Sequence, residues 1–335
     1  MIVVLESSEH MNALGSELGE VPAVPFLRAT PPLVMLPEAD AALAQRIKSV
    51  PGVMHVLTPK TPLLSTHALH SEKAVVRVGD VDFGGRDIPV IAGPCSVEDE
   101  AQMVSLAHQV KDRGARLLRG GAYKGRTSPF AFQGHGEDAL PHLVQARVET
   151  KLPLVTEIIT PEDVELLAGT VDLLQVGARN MHNTALLKAL GRTQVPVLLK
   201  RGFGSSVEEL LYAADYILAE GNPNVMLCER GIRTFERGVR FSFDLSAFAL
   251  LKSQTRLPVV VDPSHAVGHA GLVSTVAKAA VAAGADGLLI EVHDTPEEAL
   301  SDGDQALTPD VFSSLMNDLA PIASAVGRQL SGAAR

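Results

Sequence analysis

The chain opens on short apolar runs separated by segments in which apolar residues recur every three or four positions, the two periods that distinguish strands from helices. MIVVLE predicts a strand, SSEHMNALGSELG a helix opened by Ser7 or Ser8, AVPFLRA and LVMLP two strands, EADAALAQRIKSV a second helix and VMHVLT a further strand. The order βαββαβ over residues 1–65 matches the split βαβ, ferredoxin-like α+β unit, a small sheet with helices on one face. A polar stretch around STHALHSEK reads as a linker and AVVRVGDVDFGG as a β-hairpin, so residues 66–87 join this unit to the remainder of the chain.

Over residues 88–335 the pattern becomes a regular alternation of apolar strand and amphipathic helix. Such alternation implies parallel strands, because each return crossover uses the helix. The strands are PVIAGPC, ARLLRGG, LPLVTEI, LLQVGA, PVLLKRG, VMLCERG, PVVVDPSH and GLLIEVH. The helices between and after them include SVEDEAQMVSLAHQVKDR, SSVEELLYAADYILAEG, LVSTVAKAAVAAG and TPDVFSSLMNDLAPIASAV. Eight βα units predict an α/β fold, a TIM (β/α)8 barrel preceded by the small ferredoxin-like domain; an open doubly wound sheet is the alternative.

Composition changes this picture little. At 335 residues, 46% hydrophobic and 20% charged, the chain is ordinary globular material, long enough for a barrel plus an appendage. Its net charge of -10 excludes a general binder of nucleic acid or anionic membrane, since those partners need extended basic surfaces. The N-terminus carries no basic stretch before its apolar run and no small-residue cleavage site after it, and no apolar stretch reaches the ~18 residues of a membrane helix. A cytoplasmic protein is expected. Two cysteines, Cys95 and Cys228, are too few for a disulfide framework and need separate explanations.

In a barrel the C-terminal strand ends converge on one rim, and here they carry the polar residues. Cys95 ends the first strand and Arg119 the second, with Lys124 and Arg126 in the loop after it. Arg179 ends the fourth, Lys200 and Arg201 the fifth, Glu229 and Arg230 the sixth, Asp262 and His265 the seventh, Glu291 and His293 the eighth. So many bases around one mouth call for phosphates or carboxylates, which arginine grips with a planar fork and lysine with a point charge. Glycines at 120, 121 and 125 let the backbone approach a ligand closely. Cys95, His265, Glu291 and Asp302 have metal character: thiolate, imidazole and two carboxylates suit a divalent first-row metal. His269, four residues after His265, could make a helical metal pair, but the segment is leaving a strand and His265 alone is preferred. His293 shares a strand face with Glu291 and Asp304 matches Asp302 on spacing, so both stay open. Cys228 reads as core.

AGPCS, LRGGAYKGRTSPFAFQG, QVGARNM, LLKRGF, LCERGIRTF, VDPSHA and IEVH followed by LSDGDQAL occur in this order from about Ile88 onward. Together they resemble the type I 3-deoxy-D-arabino-heptulosonate 7-phosphate (DAHP) synthases, of the branch with an N-terminal ferredoxin-like regulatory domain. The resemblance implies a transferase that condenses phosphoenolpyruvate with erythrose 4-phosphate and water at the start of the shikimate pathway. It implies a divalent metal ion (Mn, Fe, Co, Zn or Cd) on Cys95, His265, Glu291 and Asp302. Arg119, Lys124 and Lys200 would surround the phosphoenolpyruvate carboxylate and Arg179 and Arg230 its phosphate, with Ala178 a further substrate contact. Arg126 and Thr127 would hold the aldose phosphate.

Lys124, a metal-bound water, and His265 or Asp262 near it are the candidates for proton transfer, unranked. The resemblance further implies a homo-oligomer, tetramer or dimer, and feedback by an aromatic amino acid through the N-terminal unit, for which a mere packing role is the alternative. The family usually writes Lys-Pro-Arg-Thr-Ser where this chain has Lys124-Gly125-Arg126-Thr127-Ser128, so this loop is expected to be looser and to bind erythrose 4-phosphate more weakly. Two rival functions remain: a 3-deoxy-octulosonate 8-phosphate synthase using arabinose 5-phosphate, and a non-catalytic phosphometabolite sensor.

Overall fold

Strand alternation sends every second side chain to the opposite face, and the first run, β1 (Ile2–Leu5), uses both. In the computed structural model, which describes residues 1–58 and 60–332, β1 is followed by α1 (Met11–Leu18), β2 (Val24–Phe26), β3 (Leu33–Met35), α2 (Ala41–Ile47) and β4 (Val53–Leu57). The sheet runs β2-β3-β1-β4, all antiparallel, which is the split βαβ arrangement. Val3 and Leu5 pack under the two helices with Leu14, Leu18, Leu43 and Ile47, while Val4 and Leu33 point the other way into the large apolar cluster of the rest of the molecule. Asp40 caps α2 by accepting from Leu43 N at 2.7 Å. Ser7 precedes a 3-10 turn at Ser8–His10 but makes no cap bond; its hydroxyl meets His10 Nδ1 at 3.1 Å instead.

The stretch read as a linker is partly tied down. Ser65 is buried, and the Asp215 carboxylate accepts from Leu63 N at 2.8 Å and Ser65 N at 2.7 Å. The hairpin, β5 (Val76–Val78) and β6 (Val81–Phe83), turns at Gly79, whose φ of +60° suits glycine. Val76, Val78, Val81 and Phe83 enter the bottom of the barrel and pack with inward residues such as Ile91, Leu117 and Leu289. The hairpin is therefore the barrel floor. Gly287 is small because a Cβ there would stand 2.8 Å from the Phe83 ring.

After β7 (Asp87–Ile88) come the barrel strands: β8 (Val90–Gly93), β9 (Leu117–Arg119), β10 (Leu154–Ile158), β11 (Leu173–Val176), β12 (Val197–Lys200), β13 (Val225–Glu229), β14 (Val259–Val261) and β15 (Gly287–Glu291). All pair in parallel, and β8 pairs with both β9 and β15, so the sheet closes and the open doubly wound alternative is rejected. Between them run α3 (Glu100–Asp112), α4 (Leu140–Thr150), α5 (Val164–Thr170), α6 (Thr184–Gly191), α7 (Val207–Ala219), α8 (Leu245–Gln254), α9 (Pro263–Val267) and α10 (Ala270–Ala282); α11 (Pro309–Ala325) and β16 (Gln329–Leu330) complete the described chain. Side-chain caps on Asp99, Asn183, Ser206, Asp244 and Thr308 set where five of these helices begin. The short helix α9 replaces the strand exit expected at PVVVDPSH. Asp262 is its N-cap and Pro263 its first residue, a position that loses no hydrogen bond. No described helix is long and apolar enough to cross a membrane.

Candidate active site

Cys95 lies two residues past β8, His265 on α9, Glu291 at the last position of β15, and Asp302 in the loop beyond it; one ligand atom from each lies within 4.8 Å of all the others. Cys95 Sγ donates to Asp302 Oδ2 at 3.0 Å and receives Lys124 Nζ at 2.9 Å. Glu291 Oε1 stands 3.0 Å from Arg119 Nη2 and 3.3 Å from His265 Nε2, yet it is buried and accepts no well-formed hydrogen bond among the described residues. Burial, aided by the Glu291 charge, pushes the Cys95 thiol up to about 12. Burial also favours protonation of Glu291 and Asp302, but His265 and the neighbouring bases outweigh it and hold both below the usual carboxylate range.

This donor set fits a divalent cation. Sulfur, imidazole and carboxylate oxygen together suit first-row transition metals, and Glu291 Oε1, though ion-paired with Arg119, has no well-formed hydrogen bond among the described residues and so keeps a lone pair for a further ligand. The alternatives are elsewhere: His269 caps α10 through Gly271 N at 3.1 Å, His293 Nε2 lies between Gln102 and Glu98, and Asp304 is exposed.

Asp262, fully buried, organises the centre. Its Oδ1 caps His265 N at 2.9 Å, and its Oδ2 accepts from His265 Nδ1 at 2.7 Å and Lys200 Nζ at 2.6 Å. A proton on Nδ1 leaves the Nε2 lone pair free to face the ligand cluster, the arrangement in which a carboxylate orients a metal-binding imidazole. Burial raises the Asp262 carboxyl, but His265 and Lys200 outweigh it and hold it well below its ordinary value. His265 is shifted down, because burial exceeds the pull of Asp262 and Glu291.

Beside the cluster, Lys124, Arg126, Arg179, Lys200, Arg230 and Arg240 line one pocket, with His265 and Asp302 in its wall. The rim bases fall into two groups. Arg119 pairs with Glu291, Lys200 with Asp262, Arg240 with Asp302 at 3.1 Å, and Arg201 with Glu229 at 2.9 Å. Among the described residues no carboxylate lies within ion-pair distance of Arg126, Arg179 or Arg230. Arg179 Nη2 donates to Thr127 Oγ1 at 3.0 Å, while a buried guanidinium nitrogen of each of Arg119, Arg126 and Arg230 has no hydrogen-bond acceptor among the described residues. Burial without a partner pushes Arg230 down to about 10. A cationic surface of this kind accepts anions, since buried donors are otherwise almost always satisfied.

Arg201 and Glu229, expected on the rim, are buried and turned into each other; Arg201 Nε also donates to Ser205 O at 2.8 Å. Ala178 begins a 3-10 turn at Ala178–Asn180 and borders the pocket. Five pocket residues were not singled out from the sequence: Glu157, Gln175, Gly177, Phe203 and Arg240. Glu157 and Gln175 did leave a signal, being long polar residues inside the largely aliphatic strands β10 and β11; Gln175 Nε2 donates to Glu157 Oε2 at 3.2 Å. Arg240 sits in the irregular segment before α8, where no period marks a residue as inward.

The fold and this geometry have counterparts. A family model described as the DAHP synthetase I family matches residues 69–325. The phospho-2-dehydro-3-deoxyheptonate aldolase of Thermotoga maritima is 43% identical over 84% of this chain and 83% of its own length. The crystal structure of a DAHP synthase from Thermotoga maritima superposes with a TM-score of 0.80 at 38% identity, covering 98% of this chain and 99% of that one. A 2-dehydro-3-deoxyphosphooctonate aldolase from Syntrophotalea carbinolica is 34% identical over 74% of this chain and 95% of its own. With a match that runs from the barrel's approach to its last long helix, the chain belongs to the DAHP synthetase I family.

Proposed function

We propose that this chain is a DAHP synthase, condensing phosphoenolpyruvate with D-erythrose 4-phosphate and water to release 3-deoxy-D-arabino-heptulosonate 7-phosphate and inorganic phosphate. The observation that carries this reading is a Cys-His-Glu-Asp ligand cluster opening directly onto a pocket in which Arg126, Arg179 and Arg230 have no carboxylate partner among the described residues. Arg179 and Arg230, with Ala178 beside them, take the phosphoenolpyruvate phosphate. Arg119, Lys124 and Lys200 surround its carboxylate, and Arg126 and Thr127 hold the aldose phosphate. Holding two anions in register lowers the barrier by pre-ordering the reacting carbons, worth up to several kcal/mol. Cys95, His265, Glu291 and Asp302 would hold a divalent cation (Mn, Fe, Co, Zn or Cd), which when bound supplies Lewis acidity toward the aldehyde oxygen.

Three residues are candidates for moving the proton that the new hydroxyl needs. Asp262 and His265 are tied to each other, and Asp262 also to Lys200. Lys124 is free of any carboxylate partner among the described residues and lies at the junction of cluster and pocket, 2.9 Å from Cys95 Sγ. Burial would lower its pKa, but Cys95, Glu157 and Glu291 together raise it, so it stays a charged donor. We assign the proton delivery to Lys124.

Assay of the purified protein with erythrose 4-phosphate and with arabinose 5-phosphate tests the substrate. The loop Gly125-Arg126-Thr127-Ser128 supports the four-carbon aldose, and turnover of arabinose 5-phosphate alone overturns it. Chelation should abolish activity and Mn should restore it; a chain with no turnover under any of these conditions is a sensor. The N-terminal sheet is assigned as a regulatory unit for an aromatic amino acid within a cytoplasmic homo-oligomer, tetramer or dimer. Initial rates with and without Tyr or Phe, compared with a chain starting near Ser71 that keeps the barrel floor, test this. Equal insensitivity of both leaves the unit a structural role.

A further inference from the structure

Among the described residues Arg126, Arg179 and Arg230 of the pocket lack carboxylate partners, so something else must hold them apart and in place. Phe203, in the loop after β12, and Phe241, before α8, stack with ring centroids 5.1 Å apart and planes 12° from parallel. Around this pair stand four guanidinium groups. Those of Arg179, Arg230 and Arg233 lie 5.1, 5.1 and 5.0 Å from the Phe203 centroid, and Arg230 and Arg240 lie 4.0 and 5.6 Å from that of Phe241. Both rings are held by backbone. Arg233 N donates to Phe203 O at 2.7 Å, and Ile232 and Ser242 exchange bonds of 3.0 and 2.9 Å that fix the approach to Phe241. Gly231, at φ +81°, admits this approach, since its Cβ would meet Phe241 Cβ at 3.0 Å.

We propose that Phe203 and Phe241 form an aromatic platform that positions Arg179 and Arg230, and through them the phosphate of phosphoenolpyruvate. The inference rests on the functional reading above and deepens it. A carboxylate would orient a guanidinium equally well but would neutralise the charge that the substrate phosphate needs. The face of a phenyl ring attracts the cation through its quadrupole while leaving every N–H free for phosphate oxygens. Arg230, buried, within reach of both rings and with an Nη1 that lacks an acceptor among the described residues, is the residue on which the platform acts most. Both phenylalanines are positioning residues, since they act through the arginines.

The test is calorimetric binding of phosphoenolpyruvate to the full chain with Mn²⁺, for wild type, Phe203→Leu and Phe241→Leu, with steady-state kinetics alongside. Leucine keeps apolar volume and removes the ring. Phe203 is only half-buried, so its variant keeps the proposal testable if Phe241→Leu fails to fold. Each folded variant should bind phosphoenolpyruvate about three- to tenfold more weakly, corresponding to about 0.7–1.4 kcal/mol, with KM for phosphoenolpyruvate rising by the same factor and kcat changing less. Combined with Arg230→Lys, Phe203→Leu should cost less than the sum of the two single losses, because part of its effect runs through Arg230 and the rest through Arg179. Unchanged affinity in folded Phe203→Leu, or full additivity with Arg230→Lys, overturns the platform alone. A wild-type protein that does not bind phosphoenolpyruvate overturns the functional reading together with it.

Discussion

Replacing Asp262 by asparagine keeps the shape of the side chain and removes its charge, which separates the roles this residue combines. In the native protein Oδ1 caps α9 while Oδ2 accepts from both Lys200 Nζ and His265 Nδ1. An amide has one acceptor and one donor. If its oxygen caps the helix, its NH2 confronts two further donors; if its oxygen turns to Lys200, the cap is lost, worth about 1 kcal/mol. In either rotamer the Lys200 ammonium, 3% exposed, has lost its negative partner. Stranding one charge of a buried pair typically costs about 3–5 kcal/mol, and the cap term is contained in that range rather than added to it.

His265 also loses the acceptor that fixes its tautomer, and loss of such an orienting partner weakens metal binding about 10- to 100-fold. Urea unfolding of the metal-free proteins measures the first effect, and calorimetric titration with Mn²⁺ at fixed pH measures the second. Asp262→Asn should unfold at a clearly lower midpoint and bind Mn²⁺ at least about tenfold more weakly. A variant with an unchanged midpoint and Mn²⁺ affinity within about twofold of wild type refutes the reasoning, because the hydrogen-bond geometry would then carry no energetic weight.

Cys95→Ala should lose both bound cation, measured by metal analysis, and product formation; retention of both removes the ligand cluster. Gly125→Pro should lower KM for erythrose 4-phosphate: the backbone of Gly125 is outside the left-handed region and a Cβ there meets nothing closer than Glu157 Oε1 at 3.9 Å. An unchanged or higher KM counts against a looser loop. Gly287→Ala should destabilise the barrel by about 1–3 kcal/mol, as overpacking against Phe83 does, while KM values stay near wild type. A denaturation midpoint equal to wild type would show that the hairpin yields easily.

The segments around the site differ in how readable they were, for identifiable reasons. The eight strand exits could be placed because aliphatic runs are bounded by charged residues, and a closed parallel sheet gathers all such exits on one rim. That is why Cys95, His265, Glu291 and Asp302 could be grouped although they are far apart in the chain. The hairpin at Val76–Phe83 read as a connector, since a local alternation of Val and Phe looks the same whether it covers a surface or plugs a barrel. Helix α9 was missed because DPSH comes directly after a strand, and only the carboxylate of Asp262 folding back on His265 N shows that a helix starts there. Arg201 and Glu229 carry the right charges at the right strand ends, yet each satisfies the other.

The sequence by itself determined the two element patterns, the division into βα units, the kind of residue at every strand end and hence the chemistry of metal and phosphate. Those properties are local or periodic, and period and residue type are written along the chain. Only the tertiary structure decided which bases are neutralised and which are free, that the hairpin is a floor, and that Phe203 and Phe241 stack among four arginines. Such pairings join residues on different loops. They are set by how closed strands and their crossovers bring those loops together, a distance that no spacing along the chain encodes.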